Sequence, residues 1–211
     1  MHARNNKAFM TIPQGGFTLI EILVALAIGM LIIGAAYSYF LSTLRNSSAM
    51  VAQSRLQQEI RTAADLMQRD LRRAGYFPNG DTTNQPLVST IWIGKTTSAQ
   101  ANTNCVIYRY VDERGTLRNG GFLLAADGRL YMKNAGSSNN TCQTGSDWVA
   151  ITASNFTTVS RFTVSYTSGS RPRLAIGLTG TLQSDSKVNF ALDQTITLFN
   201  APSLGTATTG S

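Results

Sequence analysis

The sequence predicts an α+β protein built from one long N-terminal α-helix and an antiparallel β-sheet globular domain, and three observations carry that prediction. Residues Phe17 to Leu44 form an apolar run whose only ionisable groups are Glu21 and two tyrosines. An apolar stripe of helical period continues beyond that run, with no proline between Pro13 and Pro78. From Tyr76 onward the composition turns to Thr, Ser, Asn and Gly between short apolar segments, the pattern of strands and turns.

The run from Phe17 to Leu44 exceeds the roughly 20 apolar residues that cross a bilayer, so it is expected as a retained membrane helix. Arg4 and Lys7 ahead of it also fit the basic start of a cleaved secretory signal. Against that, the run is about twice the usual apolar core of such a signal and ends without a small-residue cleavage site. Gly29 and Gly34 are either points of local melting or places of close helix packing, and packing is the favoured account. Glu21 needs a reason, because a carboxylate in hydrocarbon is costly unless neutralised or paired. It either sits at the interface, where the helix N-terminus tolerates negative charge, or finds a cationic partner. A cut after Gly16 would supply one, the new amine of Phe17, one helical turn away in this chain or in a neighbour.

Beyond the membrane segment, Leu56, Ile60, Ala63, Ala64, Met67, Leu71 and Ala74 recur every three or four residues, while Arg55, Glu59, Arg61, Asp65, Arg69 and Asp70 fall on other faces. Arg55 with Glu59, Arg61 with Asp65 and Asp65 with Arg69 are expected as i,i+4 ion pairs worth a few tenths of a kcal/mol each. Gly75 reads as the residue just past the helix end, and Pro78 prevents resumption. A helix from Phe17 to Ala74 would be about 87 Å long at 1.5 Å per residue.

Candidate strands are Leu87 to Ile93, Cys105 to Val111, Gly121 to Ala125, Arg129 to Lys133, Trp148 to Thr152, Arg161 to Tyr166, Arg173 to Leu178 and Val188 to Phe199, the last broken near Asp193. Asp127-Gly128 signals a hairpin, and Glu113 to Gly115 closes another reversal. In RFTVSYT, Phe162, Val164 and Tyr166 share one face. The sheet and the upper half of the helix each have an apolar face to bury, so they are expected to pack together.

Cys105 and Cys142 are expected to form a disulfide, closing a loop worth about 4 kcal/mol in the chain-entropy model; separate buried thiols are the alternative. The bond implies an oxidising compartment. A zinc site is not expected, because the only histidine, His2, lies in the leader. For the same reason no histidine-based catalytic set is available, and no phosphate-binding loop or cofactor motif is present, so the chain reads as a non-enzyme without catalytic residues. Asp112 and Glu113 are adjacent at a turn, where solvation is the expected purpose.

The net charge is +7, but residues 76–211 carry only ten Lys or Arg against seven Asp or Glu. Arg171 and Arg173 around Pro172, with Arg114 and Arg118 near another loop, make a DNA-contacting patch conceivable. Solvated surface charge is the better account, since no aromatic platform accompanies them. Arg4 and Lys7 are balanced by Arg45, Arg55 and Arg61, so charge alone does not orient the chain.

GGFTLIE, residues 15 to 21, followed by an apolar helix, resembles the class III signal of type IV pilins and type II secretion pseudopilins. The resemblance implies cleavage between Gly16 and Phe17 by prepilin peptidase, N-methylation of Phe17, and Glu21 as the glutamate that pairs with the N-terminal amine of an adjacent subunit during assembly. It also implies a pilin-like fold with the leader in the cytoplasm. The segment LQQEIRTAADLMQRDLRRAGYFPNG resembles the helix end of W-type minor pilins and, more loosely, of J-type minor pseudopilins, through Asp70, Leu71, Arg72, Ala74, Gly75 and Tyr76. The chain is long for a major pilin and lacks the C-terminal cysteine loop common there. Glu21 argues against the pseudopilin class that lacks this residue at the extreme tip.

The expected layout is a cleaved leader over 1–16, a membrane and polymer-core segment over 17–44, an amphipathic helix half over 45–75 and a periplasmic β-rich domain over 76–211. The expected function is that of a minor pilin priming type IV pilus assembly at or near the tip, in support of twitching motility, adhesion or DNA uptake. It would start in the inner membrane and end in the fibre, with other minor pilins, the major pilin, prepilin peptidase, the inner-membrane assembly platform and membrane lipid as partners. Rival readings are a minor pseudopilin of a type II secretion system, a tip module that binds DNA or a surface, and an uncut bitopic membrane protein.

Overall fold

The computed structural model describes residues 15–78, 90–96, 103–134, 136, 140–153, 155–200, 203–206 and 208–209. The leader residues His2, Arg4 and Lys7, and the start of the strand expected from Leu87, lie outside the described residues. The chain divides into two units, Met1–Ala49 and Met50–Ser211. One helix, α1 (Leu19–Leu71), contributes its first part to one unit and its last part to the other.

In the first unit, Thr18 caps the helix. Its carbonyl accepts from the Glu21 and Ile22 amides at 3.1 and 3.2 Å, and its Oγ1 from the Glu21 amide at 3.4 Å. A threonine at the cap with a glutamate three residues on is the capping-box pattern, and the negative charge of Glu21 suits the positive end of the helix dipole. Phe17, Leu19, Ile20, Leu31 and Ile33 are each at least 70% exposed. A helix that is apolar around its circumference belongs in a membrane or a large core, and this one is long and apolar enough to span a bilayer.

In the second unit the apolar stripe is the reason for the helix. Leu56, Ile60, Ala63, Ala64, Met67, Leu71 and Ala74 are all no more than 5% exposed. Burying each large member contributes about 1.5–3 kcal/mol, far more than helix propensity supplies. The helix ends at Leu71 rather than Ala74, because the Arg73 and Ala74 amides bond to the carbonyls three residues back, at 3.0 and 3.1 Å. Gly75 then leaves the helix with φ 75°.

None of the three expected i,i+4 ion pairs is among those formed by the described residues. Tertiary partners take the side chains instead. Arg55 lies over the Phe156 ring at 4.1 Å and Arg61 over Phe190 at 5.5 Å. Glu59 accepts from the Ala153 amide at 2.7 Å and the Thr157 hydroxyl at 2.6 Å. Asp70, expected on a polar face, is buried.

The strands are β1 (Thr90–Gly94), β2 (Cys105–Val111), β3 (Leu117–Leu124), β4 (Leu130–Lys133), β5 (Thr141–Cys142), β6 (Trp148–Ala150), β7 (Thr157–Thr167), β8 (Arg173–Leu182), β9 (Asn189–Thr197), β10 (Ser203–Thr206) and β11 (Thr208–Thr209). A six-stranded sheet runs β10-β1-β2-β3-β4-β6, antiparallel apart from the β1–β10 pair; β7-β8-β9 form an antiparallel sheet, and β5 and β11 a short parallel one. Val106, Tyr108, Phe122 and Leu130 of the larger sheet share one core with Phe162, Leu174, Ile176 and Leu178 of the three-stranded sheet and with the helix stripe. Cys105, Ile107 and Leu123, which alternate with those residues, form a second cluster with Cys142 and Trp148. Gly180 of β8 makes room for the helix: a Cβ there would lie 2.5 Å from Ile60 Cδ1.

β9 is unbroken at Asp193, contrary to the expectation from sequence. Asp193 pairs in register with Gly177 and its carboxylate meets Arg161 Nη2 at 3.0 Å, on a face where a charge does not interrupt the ladder. β3 begins four residues earlier than expected, at Leu117, because it pairs along the full length of β2. β7 and β8 are likewise longer, reaching Thr157 and Leu182 in mutual register. β5, β10 and β11 were not anticipated; each is short and is defined by pairing with distant sequence.

Candidate functional site

Two places bring together residues singled out in the sequence. The first is the start of α1. Gly15, Gly16 and Phe17 are exposed and precede the helix, and Glu21 sits in its first turn. A Cβ at either glycine would meet nothing within 4 Å, and neither has a positive φ. The described residues therefore give no reason for two glycines here. Gly29 and Gly34 are equally open, so nothing among the described residues packs on them.

The second is the end of the helix, where the segment Asp70 to Tyr76 is stitched onto β2. The Gly75 amide donates to the Arg109 carbonyl at 2.9 Å, and the Val111 amide donates to the Tyr76 carbonyl at 2.8 Å. Leu71 and Ala74 enter the core. Arg73 lies 5.0 Å over the Tyr110 ring, which stacks with Tyr108 at 6.1 Å. Burial, reinforced by the charge of Asp70 and by Tyr110, pushes the Tyr108 hydroxyl well above the ordinary tyrosine range. Asn200 completes the junction, its side-chain amide donating to the Ala74 carbonyl at 3.0 Å. The segment thus supplies a buried acid, two core contacts, a left-handed turn and a strand-like exit, all of them used locally.

Next to the junction is an open cleft of about 560 Å³, lined by Arg72, Arg73, Tyr76, Tyr110, Glu113 and Arg114 among others. Asp112 on its edge is engaged: it accepts from the Arg114 and Thr116 amides at 3.0 and 2.9 Å and from Arg118 Nε at 2.9 Å. The Thr116 and Arg118 bonds hold its carboxyl below the usual carboxylate range. The Asp112-Glu113 turn is therefore built around an acceptor, beyond simple solvation. Arg171 and Arg173 do not line the cleft.

Cys105 and Cys142 are joined by a disulfide in the second cluster. Beside them Lys133 is buried against Trp148, 5.0 Å from its ring and 3.9 Å from the Asp147 carboxylate. Desolvation lowers the Lys133 pKa, opposed by Asp147. Sequence reasoning missed the burial of Lys133 and Asp70 and the anchoring role of Glu59. Asp70 was detectable, since it stands three residues after Met67, within the spacing of the stripe; Lys133 and Glu59 gave no such signal. Among the described residues no group of three His, Cys, Asp or Glu is placed to hold a metal.

A membrane-length apolar helix, preceded by a diglycine and continuing into a β-rich domain, is the architecture of a pilin-like protein. Residues 49–198 match the family described as prepilin peptidase-dependent protein B, and residues 13–37 match the prokaryotic N-terminal methylation motif. The chain belongs to the prepilin peptidase-dependent protein B family, within the non-enzymatic type IV pilin and pseudopilin group. It is also similar to the pilin-like protein PilA3 of Thermus thermophilus, at 37% identity over 68 residues, 31% of this chain and 29% of that relative. No solved structure matches.

Proposed function

We propose that this chain is a W-like minor pilin that primes assembly of a type IV pilus and resides at or near its tip. In this reading prepilin peptidase cuts between Gly16 and Phe17 and the new N-terminus is methylated. Residues 17–44 hold the subunit in the inner membrane, residues 45–75 carry the domain, and residues 76–211 lie in the periplasm. During assembly Glu21 pairs with the amine of an adjacent subunit, and the apolar helix packs in the fibre core against other minor pilins and the major pilin. The assembly platform and membrane lipid complete the set of partners.

The observation that carries the reading is the start of α1. Two glycines that the fold does not require stand exposed beside a helix whose apolar surface is uncovered, with one carboxylate in its first turn. Such a surface calls for helices from elsewhere, and such a carboxylate in hydrocarbon calls for a cation. Glu21→Ala tests the proposal: incorporation into fibres should be lost while mass spectrometry still finds the N-terminus at a methylated Phe17. Normal incorporation would remove the assembly role of Glu21, and an uncut N-terminus in the native chain would overturn the reading as a whole. A deletion strain that loses secretion and keeps its pili would assign the chain to a secretion pseudopilus instead.

A further inference from the structure

The cleft at the end of α1 collects cations that no carboxylate among the described residues neutralises. Arg72, Arg73 and Arg114 are exposed, and among the described residues none of their guanidinium groups has a carboxylate partner. Asp112 is no substitute, because Arg118 and two amides already occupy it. Arg72 and Arg73 have a local use in offsetting the negative end of the helix dipole. Arg73 also lies over the Tyr110 ring, but neither use extends to Arg114, which the β2–β3 turn brings to the same cleft beside the exposed Tyr76.

Guanidinium forks on an aromatic wall select a planar or tetrahedral anion, so both carboxylate and phosphate fit the chemistry. Two features favour carboxylate. The cations are confined to one cleft instead of forming the track that a nucleic-acid backbone needs, and Glu113 on the same wall repels a continuous phosphodiester chain. A peptide carries its carboxylates on flexible side chains that can reach the arginines or turn away from that acid, whereas a phosphodiester charge is fixed in the backbone.

We infer that this cleft is a docking site for an acidic peptide segment of a neighbouring subunit. The inference rests on the reading of the chain as a polymer subunit, and it adds a recognition surface in the domain to the packing of the helices.

The test uses the full chain in detergent, with fluorescein-labelled hexaglutamate and a labelled short oligothymidylate as probes, read by fluorescence anisotropy. Hexaglutamate should bind, more weakly as salt rises. Arg72→Gln combined with Arg114→Gln should weaken binding by about tenfold or more, the scale of a lost charge-assisted hydrogen bond. Arg171→Gln combined with Lys187→Gln, which removes the same charge away from the cleft, should leave it unchanged. No binding, equal weakening by both pairs, or preference for the oligonucleotide through the same arginines would each overturn the inference. Should the first pair lower the unfolding midpoint, Arg114→Gln alone, in a turn outside the helix, carries the test. The two readings fail separately. Hexaglutamate binding through the arginines, with a native chain that is left uncut and outside the fibre, removes only the subunit reading, whereas a cut and incorporated chain without peptide binding removes only the cleft.

Discussion

Gly180→Ala should destabilise the second unit, and the size of the loss follows from the geometry. A Cβ at Gly180 would stand 2.5 Å from Ile60 Cδ1, 2.9 Å from Ile60 Cγ1 and 3.3 Å from Leu56 Cδ1. Two of these are closer than carbon atoms tolerate, but both belong to a side chain that can partly yield. Overpacking of this kind costs about 1–3 kcal/mol. Ile60→Val removes Cδ1, the nearest atom, and by itself should cost about 0.5–1.5 kcal/mol. Together, the added methyl fills space that the deleted one vacates, so the double variant should fall short of the sum by about 0.5 kcal/mol or more. Equilibrium denaturation of the full chain in detergent, followed by Trp92 and Trp148 fluorescence, measures all four states. Additivity within about 0.3 kcal/mol, or a stabilising Gly180→Ala as expected for an uncovered strand position, would show that the helix does not pack here.

Two further outcomes follow from the same domain. Replacing Cys105 and Cys142 together with serine removes a cross-link spanning a sequence separation of 37. It should lower stability by about 4 kcal/mol in the same denaturation assay; a loss under about 1 kcal/mol contradicts the chain-entropy argument. The Asp112 loop should loosen in acid. The folded pKa of Asp112 is depressed below its ordinary value, so its contribution is complete above the unfolded pKa and disappears as pH falls through the folded one. Hydrogen exchange at the Arg114 and Thr116 amides should therefore rise, beyond its intrinsic pH dependence, only below about pH 4; an unchanged protection at low pH contradicts this.

Much of the fold was legible because it was written in periodicity. The helix stripe from Leu56 to Ala74 and the strands at Cys105–Val111 and Arg173 obey local patterns, and local patterns survive into the structure. What sequence could not show was what those elements meet. Arg55, Glu59 and Arg61 were paired along the helix by spacing, yet Phe156, Thr157 and Phe190 claim them from far along the chain. β10 and β11 exist only through parallel partners, β1 and β5, and so leave no periodic trace of their own. At the start of α1 the reverse holds. GGFTLIE is fully visible in sequence, and the fold adds that nothing among the described residues explains its glycines.

The bonds that seat the helix also set when the domain can fold. Glu59 reaches Thr157 across 98 residues of sequence, and Ala74 is closed by Asn200 across 126. Loops of that span must be brought together before the contacts reward them, which places folding on the order of milliseconds to seconds, at the slow end for domains of this class. The apolar stripe of α1 is made early in synthesis and covered late. Until β8 arrives, Leu56 and Ile60 lack the strand that Gly180 brings against them, and the nascent domain is most vulnerable to proteases and to sticking to its own kind.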